Sequence, residues 1–138
     1  MTTTLGTKSI KSIFGKLLGI TNGDDGHLVV ESGTICVDNG TATATSGAAT
    51  LNRAAGKITS ESLSTAAAGV YTLTITNSKI AATDIVHVSV TLGTATTGVP
   101  TIATVAAAAG SLVIKVQNIA ASAALNGTIV VAFTSFKA

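Results

Sequence analysis

Residues Tyr71 to Ile80 read YTLTITNSKI. Tyr71, Leu73 and Ile75 alternate with Thr72, Thr74 and Thr76, the period-two pattern of a strand buried on one side. The first set goes to a core. The second set is all threonine, where a water-facing strand usually carries lysine or glutamate. Threonine is a good strand residue in its own right. The face therefore has two readings, an ordinary solvated surface or a surface that meets another protein.

The same alternation recurs along the chain. It predicts strands over Lys57–Ser60, Gly69–Asn77, Asp84–Leu92, Val99–Ala106, Ser111–Asn118 and Gly127–Phe136. The turn signals TNSK, GTATTG, AAAAG and LNG separate them. VHVSV points Val86, Val88 and Val90 one way, and His87 and Ser89 the other. SLVIKVQN sends Leu112, Ile114 and Val116 inward and Lys115 and Gln117 outward. In GTIVVAFTSF both sides are apolar, with Ile129, Val131 and Phe133 opposed by Val130, Ala132 and Phe136, so that strand is expected to be covered on both faces. The alanine-rich stretch Asn118–Gly127 reads as a short helical turn or a crossover between sheets. Short strands with Gly and Asn turns make residues 51–138 an all-β domain, expected as one antiparallel β-sandwich of jelly-roll or Ig-like type, with a barrel as the other architecture.

Ahead of that domain the chain changes character. Over residues 1–22, Ile10, Ile13, Phe14, Leu17 and Leu18 fall at helical spacing, with Lys8, Lys11 and Lys16 beside them. Gly15 and Gly19 each weaken a helix by about 1 kcal/mol relative to alanine. This is an arm, extended or amphipathic, for docking on a partner or packing on its own domain. Residues 23–50 are expected as a hairpin and a connector. TNGDDG is a solvated turn, since the spacing of Asp24 and Asp25 fits no calcium loop. HLVVESGTICVDNG reads as a hairpin, and Gly40–Asn52 is a Thr/Ala/Gly-rich linker or a thin strand.

Composition narrows the function. Of 138 residues, 46% are hydrophobic and 10% charged, against about 25% charged in ordinary globular chains. The apolar residues are dispersed among Thr and Gly, with no run of about 18 that would span a membrane. A net charge of +2 without a basic cluster in the body of the chain argues against nucleic acid. The single cysteine, Cys36, allows no intramolecular disulfide and reads as a small buried hydrophobe. The first residues make a poor signal peptide. Aromatic residues are scarce, which counts against glycan and single-strand nucleic-acid platforms.

No catalytic constellation is legible. His27 and His87 are the only histidines, and His87 falls on the polar side of its strand. Asp24, Asp25, Glu31, Asp38, Glu61 and Asp84 form no acid–base pair. Nucleophile-elbow, phosphate-loop, dinucleotide and zinc patterns are missing. The expectation is a protein without catalytic, cofactor or metal sites.

Two long stretches carry a resemblance. LNRAAGKITSESLSTAAAGVYTLTITNSKIAATDIVHVSV and GSLVIKVQNIAASAALNGTIVVAF resemble small structural proteins of tailed bacteriophages that decorate or cement the capsid, or form knobs and fibre parts. The telling pieces are GKIT, YTLTITNS and VQNIAASAALNGTI, and the resemblance covers about Leu51 to Phe136. It implies a β-sandwich that assembles, often as a homotrimer, on the outside of a virion after synthesis in the bacterial host cytoplasm. It carries over no catalytic residue. On this expectation the partners are the major capsid protein and further copies of the chain, with neither nucleic acid nor membrane. The arm residues Lys8, Ile10, Lys11, Ile13, Phe14, Lys16, Leu17 and Leu18 would grip the capsid, and Thr72, Thr74 and Thr76 would be the oligomer face. The other reading is a receptor-binding or fibre module of the same kind of particle.

Overall fold

A computed structural model describes residues 37–138. The arm, with Lys8, Ile10, Lys11, Ile13, Phe14, Lys16, Leu17 and Leu18, and nearly all of the expected hairpin lie outside the described residues.

The described chain is all-β. Its strands are β1 (Asn39–Thr43), β2 (Ala48–Thr50), β3 (Ala55–Thr59), β4 (Leu63–Thr65), β5 (Val70–Thr76), β6 (Ile85–Leu92), β7 (Pro100–Ala108), β8 (Ser111–Asn118), β9 (Leu125–Gly127) and β10 (Ile129–Phe136). They form two four-stranded sheets, ordered β1-β3-β10-β6 and β2-β5-β8-β7, with β4 and β9 as a small third pair. None of the sheets closes on itself.

Alternation sets which side of each strand is inside. Along β5, Tyr71, Leu73 and Ile75 are buried while Val70, Thr72, Thr74 and Thr76 are exposed. Along β8, Leu112, Ile114 and Val116 are buried, and along β10, Ile129, Val131 and Phe133. Together with Ile58, Leu63 and Leu125 they make one apolar cluster fed by all three sheets. Full burial of each such aliphatic side chain stabilises by about 1.5–3 kcal/mol. The far side of β10 is half-buried at Val130, Ala132 and Thr134 and exposed at Phe136, so the expected cover on both faces is partial.

The structure departs from the sequence expectation in one feature and chooses between its alternatives in two others. First, the sheets are mixed, because β1 runs parallel to β3 and β2 parallel to β5. Second, the Thr/Ala/Gly-rich stretch supplies both of those edge strands. It crosses from one sheet to the other at Ala44, which is 2% exposed and donates its N–H to the Thr59 carbonyl. The crossing needs a tight reversal: Thr45 and Ala48 exchange backbone hydrogen bonds around Ser46 (φ 50°) and Gly47 (φ 73°). Positive φ at both central residues is the two-residue hairpin turn whose twist suits flanking strands. A Cβ on Gly47 would meet the Thr72 carbonyl oxygen at 2.6 Å. Third, the alanine-rich stretch after β8 holds no helix. It crosses between sheets through β9, where Leu125 is fully buried. Gly98 (φ 87°) lets the β6–β7 connection lie on that segment, since a Cβ there would stand 2.6 Å from the Leu125 Cα.

Buried polar groups pin the connections. Asn118 is fully buried. Its Nδ2 donates to the carbonyls of Thr65, Ala66 and Ala123, and its Oδ1 accepts from the N–H of Val99 and Ala120. Asn77, also fully buried, donates to the Arg53 carbonyl and accepts from the Lys79 N–H. The Ser60 hydroxyl donates to the Glu61 carbonyl and accepts from the Ile129 N–H.

Candidate interaction face

The three threonines sit on the outer face of the second sheet. Because β5 lies inside that sheet, between β2 and β8, their neighbours follow from the register. Thr72 is opposite Lys115 of β8, which is opposite Thr104 of β7. Thr74 lies between Ala48 of β2 and Val113 of β8. Thr76 lies between Thr50 and Ser111. Val70 stands opposite Gln117, and Gln117 opposite Thr101.

The outward side chains of four strands are thus Thr, Ser, Ala, Val and Gln, with Lys115 as the single charge. At one end the face turns apolar. Val70 is 51% exposed, Val99 50% and Ile119 57%. Val99 and Ile119 continue the outward phase of β7 and β8 just past their strand ends, and the Ile119 N–H bonds to the Val99 carbonyl. Sequence alternation points to Val70, one step before Tyr71. Val99 and Ile119 join the face only through the β7–β8 register, which no local pattern reveals.

Burying such a surface desolvates one ammonium and otherwise hydroxyls and small alkyl groups, which cost little when they find partners or trapped water. Small side chains also lose little rotamer freedom on contact. The Lys115 stem is long enough to carry its ammonium to a rim.

The chemistry-bearing side chains are occupied elsewhere. Glu61 accepts the Gly47 N–H at 2.8 Å and the Tyr71 hydroxyl at 3.0 Å. Burial of the ring, then the bond to Glu61 and its negative charge, push the Tyr71 phenol well above its ordinary range. Asp84 Oδ2 accepts from the Ala81 N–H, the Ser135 hydroxyl and the Lys137 ammonium. Its carboxyl is held below the usual carboxylate range, first by the bond from Lys137, then by the Ala81 N–H, with Ser135 and the Lys137 charge adding. Asp38 pairs with Arg53. His87 is exposed on the outer face of the first sheet, its ring edge-on to Phe136 at 5.9 Å. A shallow groove of about 180 Å³ runs beside it, over Ser89, Ala132 and Thr134. Among the described residues no three His, Cys, Asp or Glu side chains gather as metal ligands.

Comparison with known proteins returns no match to a family model, a curated protein or a solved structure.

Proposed function

We propose that the chain is a non-enzymatic virion structural protein. It decorates and stabilises a bacteriophage capsid, binding across capsid subunits as an oligomer. On this reading the two four-stranded sheets are the layers of a β-sandwich. The outer face carrying Thr72, Thr74 and Thr76 is where neighbouring copies meet, with a trimer as the expected state. The arm, from about Thr2 to Ile20, lays its apolar residues and lysines on the shell.

The observation that carries the proposal is a four-stranded sheet face with one charge and three exposed aliphatic residues at its end. A monomeric protein has little use for so uncharged a face. A protein present in many copies gains from it, because modest contacts repeated over a lattice add through avidity.

Light scattering on the full chain tests the oligomer. A trimer that falls to monomer in Thr74→Lys supports the assignment. A monomeric wild type returns the face to solvent and removes its role in self-assembly. For the arm, a chain lacking residues 1–20 is expected to stay folded and lose attachment to particles. Retained coating would show that the arm is not the anchor.

A further inference from the structure

Residues 38–51 form a strap that differs in kind from the rest of the described domain. It lays β1 along the edge of one sheet and β2 along the edge of the other. Both of its pairings are parallel, while the other strand pairs among the described residues are antiparallel. Parallel pairing is slightly the weaker per residue. Toward the core the strap sends only Ala42, Ala44 and Ala49, with half-buried Leu51 at its end. An alanine methyl gains little by burial beside a leucine or an isoleucine. The large fully buried side chains, such as Ile58, Leu73, Ile114 and Ile129, all come later in the chain. The core is therefore built by β3 to β10, and the strap closes over its edges.

The seat of the strap fits this sequence closely. The Gly47 N–H donates to Glu61, and its carbonyl accepts the Thr74 N–H, where a Cβ would collide with the Thr72 carbonyl. Leu51 lies over Gly40 and Gly56, and a Cβ on either would meet its side chain. A segment with larger inward side chains, or without glycine at the turn, does not fit. What does fit is this strap, from its own molecule or from another copy. The connection to β3 is short, residues 52–54, with Asn52 and Arg53 exposed. The exposed Arg53–Asp38 pair ties it to the start of the strap. A segment on a short hinge is the arrangement in which identical chains exchange most readily.

We propose that the strap opens as a unit about residues 52–54 and exchanges between copies, each strap lying in the seat of a neighbour. Opening breaks, and exchange remakes, one set of contacts. These are β1 on β3, β2 on β5, the Ala44 N–H on the Thr59 carbonyl, and the Gly47 bonds to Glu61 and Thr74. The two arrangements therefore differ little in contact energy, and the nearness of a second copy decides between them. The proposal rests on the assembly reading for that nearness. β2 carries Ala48 and Thr50 onto the threonine face, beside Thr74 and Thr76. Copies that meet on that face bring their straps together. Exchange then turns a modest surface contact into an interlocked one.

The test uses full chains that carry Cys36→Ser and either Thr41→Cys or Lys57→Cys. These two positions are register partners of β1 and β3, and both are exposed. Cysteine there leaves the fold intact, as circular dichroism will verify. Neighbouring strands lie about 4.8 Å apart, within reach of a short bifunctional thiol reagent. The two chains are co-expressed, sized by light scattering and cross-linked. Links from residue 41 of one chain to residue 57 of another are expected several-fold in excess over like-to-like links. A chain carrying both cysteines should link to its neighbours rather than within itself. An oligomer without that excess, whose doubly substituted chain links only within itself, overturns the exchange and leaves the threonine face standing. Links lost in Thr74→Lys support exchange between copies held by that face. Links retained in Thr74→Lys support exchange and remove the face as what brings copies together. A monomeric wild type overturns both.

Discussion

The two ends of the described domain solve one problem in opposite ways. Each must hold down the connections that leave the sheets. At one end meet residues 62–70, 92–101 and 117–128, and they contain no charged side chain. Asn118 ties them together through five hydrogen bonds to the backbone. Thr94 and Thr128 add a reciprocal pair, each accepting the other's backbone N–H on its hydroxyl. At the other end Asp84 gathers Ala81, Ser135 and Lys137, Lys137 also reaches the Lys79 carbonyl, and Arg53 pairs with Asp38. Neutral groups buried inside leave a surface whose one charge, Glu61, is bonded to Gly47 and Tyr71, and such a surface is cheap to bury against another protein. Ion pairs at a surface must stay near water to keep their hydration. The end poorer in charge, where Val70, Val99 and Ile119 extend the threonine face, is the one suited to contact.

The comparison can be broken most severely at Asn118. Asn118→Ala leaves part-buried N–H and C=O groups from three connections without partners, at about 1–3 kcal/mol for each one left unsatisfied. Allowing for entering water, the loss is expected to be on the order of 4 kcal/mol, read by denaturant unfolding. A loss under about 1 kcal/mol would mean that Asn118 is not what holds its end of the domain. Asn77→Ala, the equivalent change at the charged end, removes two bonds and should cost about 2 kcal/mol in the same assay. A smaller effect belongs to Tyr71→Phe, which removes one hydrogen bond to Glu61 while Glu61 keeps the Gly47 N–H. About 1 kcal/mol is expected, with unchanged strand content by circular dichroism.

Acid sharpens the contrast. Asp84 has its folded pKa depressed, so its stabilisation is complete above the ordinary aspartate range, about 3.9. It is lost as pH falls through the lower folded value. Amide exchange under acid should therefore quicken at Ala81, relative to its intrinsic rate, before it does at Val99 or Ala120. Asp84→Asn should remove that acid dependence. Equal loosening of both ends would show that Asp84 is not the acid-sensitive clasp. Smallest of all is Arg53→Ala. Its pair with Asp38 has both side chains 52% exposed, and exposed pairs contribute about 0–1 kcal/mol.

Much of the fold is legible in local pattern. YTLTIT, IVHVSV and SLVIKV each show which residues are inward, and the structure places Leu73, Ile75, Ile114 and Val116 at 0% exposure. The long strands fall where alternation puts them. The short ones do not announce themselves. β4 and β9 are three residues each, too short for a period to register. β1 and β2 lie in a Thr/Ala/Gly run that looks like a linker because its inward side chains, Ala42 and Ala49, are so small. Asn77 and Asn118 read as turn residues at strand ends, and their sequence neighbours give no sign that they bond to distant segments.

The sequence by itself determined the all-β character, the positions of the long strands, the inward and outward set of each, and the scarcity of charge. These follow from a period of two and from composition, and both are local or summed properties. Which strands are neighbours, that two edge pairs run parallel, that β6 ends its sheet among the described residues, and that Val99 and Ile119 join the threonine face are settled only by tertiary contacts. Alternation specifies the side a residue takes. It leaves the neighbour unspecified, because pairing is a contact between residues far apart in the chain, chosen by how all the inward faces pack together.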